Sequence, residues 1–256
     1  MKAVTKELPK HVKQVEIRVF SDWHIGDQNC DMKLINEQIK EVSERDNVLV
    51  ILNGDLMNNA TKTSISDTYS ETCSPMEQVK LAVSLLTPIK DKILSIVTGN
   101  HDIRTYRKEG IDIMQFVAIE LGIENLYSME GNIAFIRFGL DSHHNRKLCY
   151  TIYHTHGTGG GRKEGAKAIR LADMASVIDA DIYIHSHTHL PMIMKQGFFR
   201  VDRRNSTYSN TEKLFVNSAA SINYGGYGQM GEFKPPATKS PIIYLNGRTK
   251  EATATL

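Results

Sequence analysis

Aspartate, asparagine and histidine recur in five short runs of this chain: Ser21 to His24, Asn53 to Asp55, Gly99 to Asp102, His154 to Gly157, and His185 to His189. Carboxylate, amide oxygen and imidazole make a donor set suited to Mn²⁺, Fe, Zn²⁺ and related ions, and without cysteine it is not a thiolate-selective site. Asp22 and His24 stand two apart, so on an extended chain they point to the same side and chelate one ion. His187 and His189 repeat that spacing. Gly54 ahead of Asp55 and Gly99 ahead of Asn100 allow a sharp turn and a close approach of backbone to an ion. The donors exceed the needs of one ion. A pair of ions roughly 3.5–4 Å apart, clamping a displacement at phosphorus, would use them.

Such a site needs elements that gather distant residues. Stretches 15–20, 48–52, 93–97, 149–153 and 181–184 are rich in β-branched or aromatic residues and read as strands, each running into one of the five runs. Residues 33–45, with Leu34, Ile35, Ile39 and Val42 on one face, read as a helix, as do 75–89, with Pro75 in the first turn. Helices are also predicted over 110–121 and over 164–178, the latter burying Ala168, Ile169, Leu171, Ala172 and Ala175. This alternation implies βαβ units and an α/β layered fold. In an open α/β sheet the carboxyl ends of neighbouring parallel strands converge on one rim, where ligands bind.

Beyond His189, strands at 213–216, 242–245 and 251–255 alternate with Gly, Asn or Ser turns and predict an antiparallel edge or second sheet. Residues 224–240 are Gly- and Pro-rich and aromatic, a surface loop, and 1–14 read as a loose polar leader or an added short strand. With no repeat and no linker, residues 1–256 are expected to form a single domain, 190–256 supplying its C-terminal antiparallel strands.

Composition is that of an ordinary globular protein: 256 residues, 41% hydrophobic and 23% charged, which excludes disorder, collagen-like repeats and coiled coils. A net charge of +2 gives no global field to steer the chain onto nucleic acid or lipid, so any phosphate recognition must be local. No apolar run approaches the roughly 20 residues of a membrane helix. The N-terminal stretch has no apolar segment behind its charges and does not read as a secretory signal, so a cytoplasmic location is expected. Cys30, Cys73 and Cys149 are odd in number, widely spaced and without a CxxC, and read as buried reduced thiols.

In order and in placement, the five runs resemble the calcineurin-like metallophosphoesterases, whose pattern is D-x-H, G-D, G-N-H-[DE], H and G-H-x-H. The resemblance spans Asp22 to His189, about two-thirds of the chain, and its weight lies in five motifs in order rather than in any one. Phe215 to Ala219 is also similar to the strand and turn that follow the last motif in many members. The resemblance implies a four-layer α/β/β/α fold, a β-sandwich of mixed sheets flanked by helices, and two divalent metal ions, Mn first, with Fe, Zn, Ni or Co as alternatives. By the same resemblance Asp22, His24 and His189 hold one ion, Asn100, His156 and His187 the other, and Asp55 bridges both. His101 would stand beside the leaving group or a phosphoryl oxygen, with Asp102 fixing its ring. The implied nucleophile is a hydroxide shared by the metals, attacking phosphorus in line.

Two positions depart from the pattern. Ser186 stands where the family carries glycine, which is acceptable if the backbone there needs no positive φ. The fourth run offers both His154 and His156; the family carries its ligand directly before glycine, so His156 is chosen.

Other residues have blander readings. His11, His143, His144, His154 and His185 are not needed and read as packed core histidines. Trp23, between two ligands, is aimed into the core. Asp27 and Asn58 serve equally well as turn residues or as support for the site. The run 157–167 places Arg162, Lys163 and Lys167 at the start of a helix, either a phosphate-binding feature or a solvated loop, while Arg104, Arg107 and Lys108 follow the third run. Arg203 and Arg204 read as surface.

Arg104, Arg162 and Lys163 are therefore the candidate substrate-phosphate residues, and the basic rim predicts a phosphodiesterase or nuclease acting on nucleic acid or nucleotide. One alternative is a phosphomonoesterase acting on a small metabolite or phosphoprotein. The other is a non-catalytic scaffold that kept the fold, against which every motif position is filled. No membrane partner is expected.

Overall fold

The computed structural model describes residues 1–62, 64, 68–139, 148–159, 161 and 163–256. Its strands are β1 (Lys2–Leu8), β2 (Gln14–Phe20), β3 (Val48–Asn53), β4 (Ile93–Val97), β5 (Tyr127–Ser128) and β6 (Gly131–Phe138), followed by β7 (Leu148–Thr155), β8 (Ile182–His185), β9 (Met192–Asp202), β10 (Thr207–Asn217), β11 (Ile242–Asn246) and β12 (Ala252–Thr255). They make two six-stranded sheets, ordered β1-β6-β7-β8-β10-β9 and β12-β11-β2-β3-β4-β5. Both are mixed: β2, β3, β4 and β5 run parallel, as do β7, β8 and β10, while β9, β11 and β12 pair antiparallel.

Side-chain alternation explains the layers. On β3, Val50 and Leu52 face helices α1 (Met32–Glu44), α2 (Pro75–Leu86) and α4 (Ile113–Glu120), meeting Ile35, Ile39, Val79, Leu86 and Val117. Leu49 and Ile51 face the opposite way, into a second core between the sheets with Ile17, Ile136, Ile152, Ile184 and Val216. A third core sets Leu171 of α5 (Glu164–Asp173) against Tyr183 and Phe215 on the outer face of the other sheet. Helix, sheet, sheet and helix follow in that order, with β3, β4 and β8 buried on both faces and β6 and β7 alternating buried with half-buried residues.

Several expectations change in detail. Residues 2–8 take the strand alternative: β1 is an edge strand parallel to β6, and Lys2 N–H donates to Asn132 Oδ1 at 3.0 Å. The helix expected over 110–121 starts later, and a separate short helix precedes it. α3 (Arg104–Glu109) ends at Gly110, whose φ of 71° closes it, and α4 starts afresh where Asp112 accepts from the N–H groups of Met114 and Gln115. Past Leu86 and past Asp173 the chain tightens into 3₁₀ turns. Ile169, expected to be buried, is 62% exposed. Within 224–240 lies a five-residue helix, α6 (Gly226–Met230). The three cysteines are free but half-buried rather than buried, and His11 lies on the surface. His143 and His144 lie outside the described residues.

Candidate metal centre

Three of the five runs leave β2, β3 and β4, neighbouring parallel strands, and the other two leave β7 and β8 in the facing sheet. All five turn into one cleft at the carboxyl ends of these strands. Ligand-capable atoms of Asp22, His24 and His189 lie within 4.8 Å of one another, as do those of Asp55, His156 and His187, and those of His24, Asp55 and His101. Asp55 thus belongs to two clusters. Asn100 joins the second, its Oδ1 standing 3.1 Å from His156 Nε2.

The donors are not delivered by an extended chain. Asp22, His24, Asp55, His187 and His189 all hold positive φ, between 51° and 63°. The three runs that carry these residues leave their strands through left-handed bends, a conformation that Asp, Asn and His tolerate better than most residues. Gly54, at φ +85°, has the same need, while Gly99 is required for proximity: a β-carbon there would stand 2.0 Å from Asp55 Oδ1. Ser186 is not among the positive-φ residues, so the substitution of the family's glycine carries no strain.

Donors bound at about 2.0–2.2 Å to one ion stand roughly 2.8–3.6 Å apart at octahedral or tetrahedral angles. Here His189 Nε2 is 3.1 Å from Asp22 Oδ1 and 3.4 Å from His24 Nε2, and His156 Nε2 is 3.1 Å from Asp55 Oδ2. Asp22 Oδ1 is buried without a well-directed hydrogen bond. This spacing, with a carboxylate oxygen in want of a partner, fits divalent cations better than it fits a closed hydrogen-bonded network.

Residues 15–191 match the family model for the calcineurin-like phosphoesterases. The chain belongs to that family. Among solved structures this chain is similar to a predicted phosphoesterase from Streptococcus pneumoniae, at 15% identity over 95% of this chain and 98% of that one, with a TM-score of 0.35. It is also similar to a single mutant of Vps29 from Entamoeba histolytica, at 12% identity over 94% and 97% of the two chains (TM-score 0.44). GAP50, an anchor in the inner membrane complex of Plasmodium, matches at 9% identity over 94% and 87% (TM-score 0.45). No curated protein matches the sequence. Among the described residues no helix is long and apolar enough to cross a membrane.

Ionised carboxylates in the cleft suit cations. Burial alone would raise the carboxyl pKa values of Asp22 and Asp55, but the adjoining imidazoles, His189 for Asp22 and His156 for Asp55, reverse this and keep both ionised. Burial opposes charge on His156, yet Asp55 and Asp22 outweigh it and push its pKa up to about 10, so a metal ion held there has to displace the proton from Nε2. Burial holds His24 below its ordinary value and takes His187 down to about 4, leaving neutral rings of the kind a metal binds. His156 Nδ1–H donates to Asn53 O at 2.8 Å, which turns Nε2 towards Asp55 and Asn100.

The proposed partner of His101 is corrected. Asp102 does not touch its ring; the Asp102 carboxylate accepts from the backbone N–H groups of Asp55 (2.6 Å), Met57 (3.0 Å) and Gly99 (3.0 Å), clamping two ligand loops together. The His101 ring is held by Asn58, its Nδ1–H donating to Oδ1 at 2.8 Å and to the backbone O at 3.1 Å. Arg104 Nη2 lies 3.1 Å from His101 Nε2. Lys163, Arg107 and Lys108 are exposed, Arg203 and Arg204 sit at a hairpin turn, and Arg162 lies outside the described residues. Lys167 Nζ instead reaches Thr188 O at 2.8 Å. Asp27 is a turn residue, accepting from Asn29 N–H.

Beneath the cleft runs a buried polar chain that the motifs alone do not reveal. Ser21 Oγ meets Ser218 Oγ, which donates to Ser186 Oγ; Asn53 Nδ2 donates to Ser186 Oγ, and His154 Nδ1–H to Asn53 Oδ1. His154 Nε2 closes on Ser95 Oγ at 2.7 Å, confirming it as a satisfied core histidine. Asn217 accepts from His185 Nδ1–H and donates to Thr188 Oγ1 and Leu190 O, bracing the turn that carries His187 and His189. Trp23 is fully buried in the helix-side core.

Proposed function

We propose that this phosphoesterase is a dinuclear-metal hydrolase that cleaves a phosphodiester in nucleic acid or a nucleotide. The observation that carries it is the run of three overlapping donor clusters, Asp22–His24–His189, His24–Asp55–His101 and Asp55–His156–His187, linked through His24 and Asp55. Two bound divalent cations, with Mn²⁺ first choice for this oxygen- and nitrogen-rich set, supply Lewis acidity at phosphorus and a nucleophile at neutral pH. Asp22, His24 and His189 hold one, Asn100, His156 and His187 the other, and Asp55 orients both.

His101 presents Nε2 to the cleft, because Nδ1–H is committed to Asn58, and there a ring that has first taken up a proton at Nε2 would stand beside the leaving oxygen. The Arg104 guanidinium beside it offers positive charge to a phosphoryl oxygen. A cavity of about 140 Å³ lined by Gly159, Gly161, Ala166, Lys167, Arg170 and Thr188 opens beside the centre, since Thr188 lies between His187 and His189. Its two cations favour a substrate that continues past the scissile phosphate into a second anionic group, as a nucleic acid strand does. Three free cysteines suit a reducing compartment, so the cytoplasm is the expected place of action.

Hydrolysis of bis-p-nitrophenyl phosphate and p-nitrophenyl phosphate with Mn²⁺, followed by an oligonucleotide with wild type and Lys167→Ala/Arg170→Ala, tests this reading. The diester should be preferred, and the double variant should raise KM for the oligonucleotide with little change on the small diester. A large preference for the monoester would move the substrate to that class. Full metal content with no turnover of either ester would mark a scaffold.

A further inference from the structure

The hairpin of β9 and β10 outreaches the sheet that carries it. β8 supports β10 only from Leu214 to Asn217, whereas β9 pairs with β10 from Met192 opposite Asn217 to Asp202 opposite Thr207. Residues 199–202 and 207–210 are exposed on both faces, a two-stranded ribbon in solvent, which is a marginal arrangement by itself. One face of it is apolar. Phe199, Val201 and Tyr208 are 75%, 69% and 72% exposed, and the Phe199 and Tyr208 rings meet edge to face with centroids 5.5 Å apart. β9 is the last strand of its sheet, and among the described residues no strand pairs with its outer edge. Devices that usually blunt such an edge are missing: β9 holds no proline, and its register with β10 runs without a bulge. Its one lysine, Lys195, is tied to Glu212 on the neighbouring strand at 3.3 Å.

We infer that a second copy of this chain joins at that edge, β9 against β9 in antiparallel, about a two-fold axis at Gly197, the midpoint of the strand. The strand itself selects the occupant. Residues opposite one another in an antiparallel pair share a face. About Gly197 the strand pairs with its copy along its full length: Val201 stands opposite Ile193, Phe199 opposite Lys195, Arg200 opposite Met194 and Asp202 opposite Met192. No like charges meet, both exposed apolar residues gain a neighbour, and the glycine on the axis brings no side chain to the crossing. The same axis lays the unsupported half of each arm beside the half of the other that is anchored, where Ile193 packs on the core between the sheets and Met194 on the outer core. Symmetry supplies this match twice over, as an isologous interface requires. β10 runs parallel to β8, with its carboxyl end at the cleft, so the arms point away and both clefts stay open.

Sedimentation of the full-length protein at micromolar concentration tests this without any assay of turnover, so its outcome is independent of the proposed function. Wild type should run at twice the mass of the chain. Phe199→Ser/Val201→Ser changes two exposed positions that the folded monomer does not need, and should raise the dimer dissociation constant by about 10²-fold with an unchanged circular dichroism spectrum. Met230→Ser, 81% exposed on another surface, should leave the dimer as it is. Cross-linking with copper phenanthroline as oxidant reads the register. In Gly197→Cys the thiol lies beside its own copy, within the separation of about 4.4–6.8 Å between α-carbons that a disulfide spans. The added β-carbon meets nothing nearer than Asn210 Oδ1 at 3.1 Å. In Phe199→Cys the two thiol-bearing residues stand roughly 14 Å apart along the strand. The first should link into a covalent dimer beyond the wild-type level and the second should not. A monomeric wild type, a dimer indifferent to the double serine variant, or linkage through 199 in place of 197 would overturn the inference.

Discussion

Gly99 and Asp55 touch so closely that the glycine leaves no room for a side chain: an added β-carbon would stand 2.0 Å from Asp55 Oδ1 and 2.2 Å from Asp55 N. Gly99→Ala must push the shared carboxylate aside. Overpacking of this kind costs about 1–3 kcal/mol, and the displaced group is the carboxylate proposed to serve both ions. The variant should melt earlier and bind less Mn²⁺ by elemental analysis. Two retained ions at wild-type affinity would show that Asp55 need not stay where it is.

Asp102 acts on the backbone, not on His101, and this separates two outcomes. Asp102→Asn puts an NH₂ group where N–H groups of Asp55, Met57 and Gly99 converge, leaving at least one buried donor unpaired at a cost of about 1–3 kcal/mol. Reduced thermal stability and reduced metal affinity are expected, with the His101 ring signal unmoved. A changed ring signal would reinstate Asp102 as the orienting partner.

His101→Ala and Asp55→Asn should fail in different ways. The first removes a proton-handling ring, so metal content should hold while kcat drops about 10²–10⁴-fold. The second removes the charge of the carboxylate proposed to serve both ions, so metal content itself should fall. Chelation of wild-type protein should likewise lower its melting temperature and leave Asp55→Asn nearly unaffected. Calorimetry beside elemental analysis distinguishes these cases.

Tyr150 fastens the C-terminal hairpin. Its Oη lies 2.7 Å from Asn246 O, 2.8 Å from Thr249 O and 2.9 Å from Glu251 O, and accepts from Glu251 N–H at 2.7 Å. Burial pushes the phenol up to about 12. In the unfolded chain it titrates near its ordinary value of about 10. Between those values the unfolded state has lost a proton the folded state keeps, so the stability from this group is complete below about pH 10 and is lost as pH rises towards 12. Tyr150→Phe should cost about 0.5–1.5 kcal/mol at neutral pH and flatten the alkaline decline. Parallel melting curves for the two proteins from pH 9 to 12 would contradict this.

What the sequence revealed was chemistry and periodicity; what it concealed was pairing over distance. β4 was legible at its full length because Ile93 to Val97 is β-branched or aliphatic at every position but Ser95, and the ligand residues stood out because nothing in a core calls for such a cluster. β1 was ambiguous because its partner, β6, lies some 130 residues away, Lys2 facing Asn132. The break at 110–112 was readable in hindsight, since a glycine stop and an aspartate cap are local signals. Asn58 was not, because an asparagine three residues past Asp55 looks like any turn residue until His101 is brought against it. The left-handed bends were hidden as well: Asp-x-His alternation is equally compatible with an extended strand, and only the folded chain distinguishes them.

Asp22, His24, Asp55, His187 and His189 each occupy a bend in which glycine would rest more easily. Selection for hardiness alone would erode the cleft first, because easing those bends is the cheapest repair the chain has on offer. An engineer seeking a tougher variant of this protein would meet the same trap, and should leave these five corners untouched.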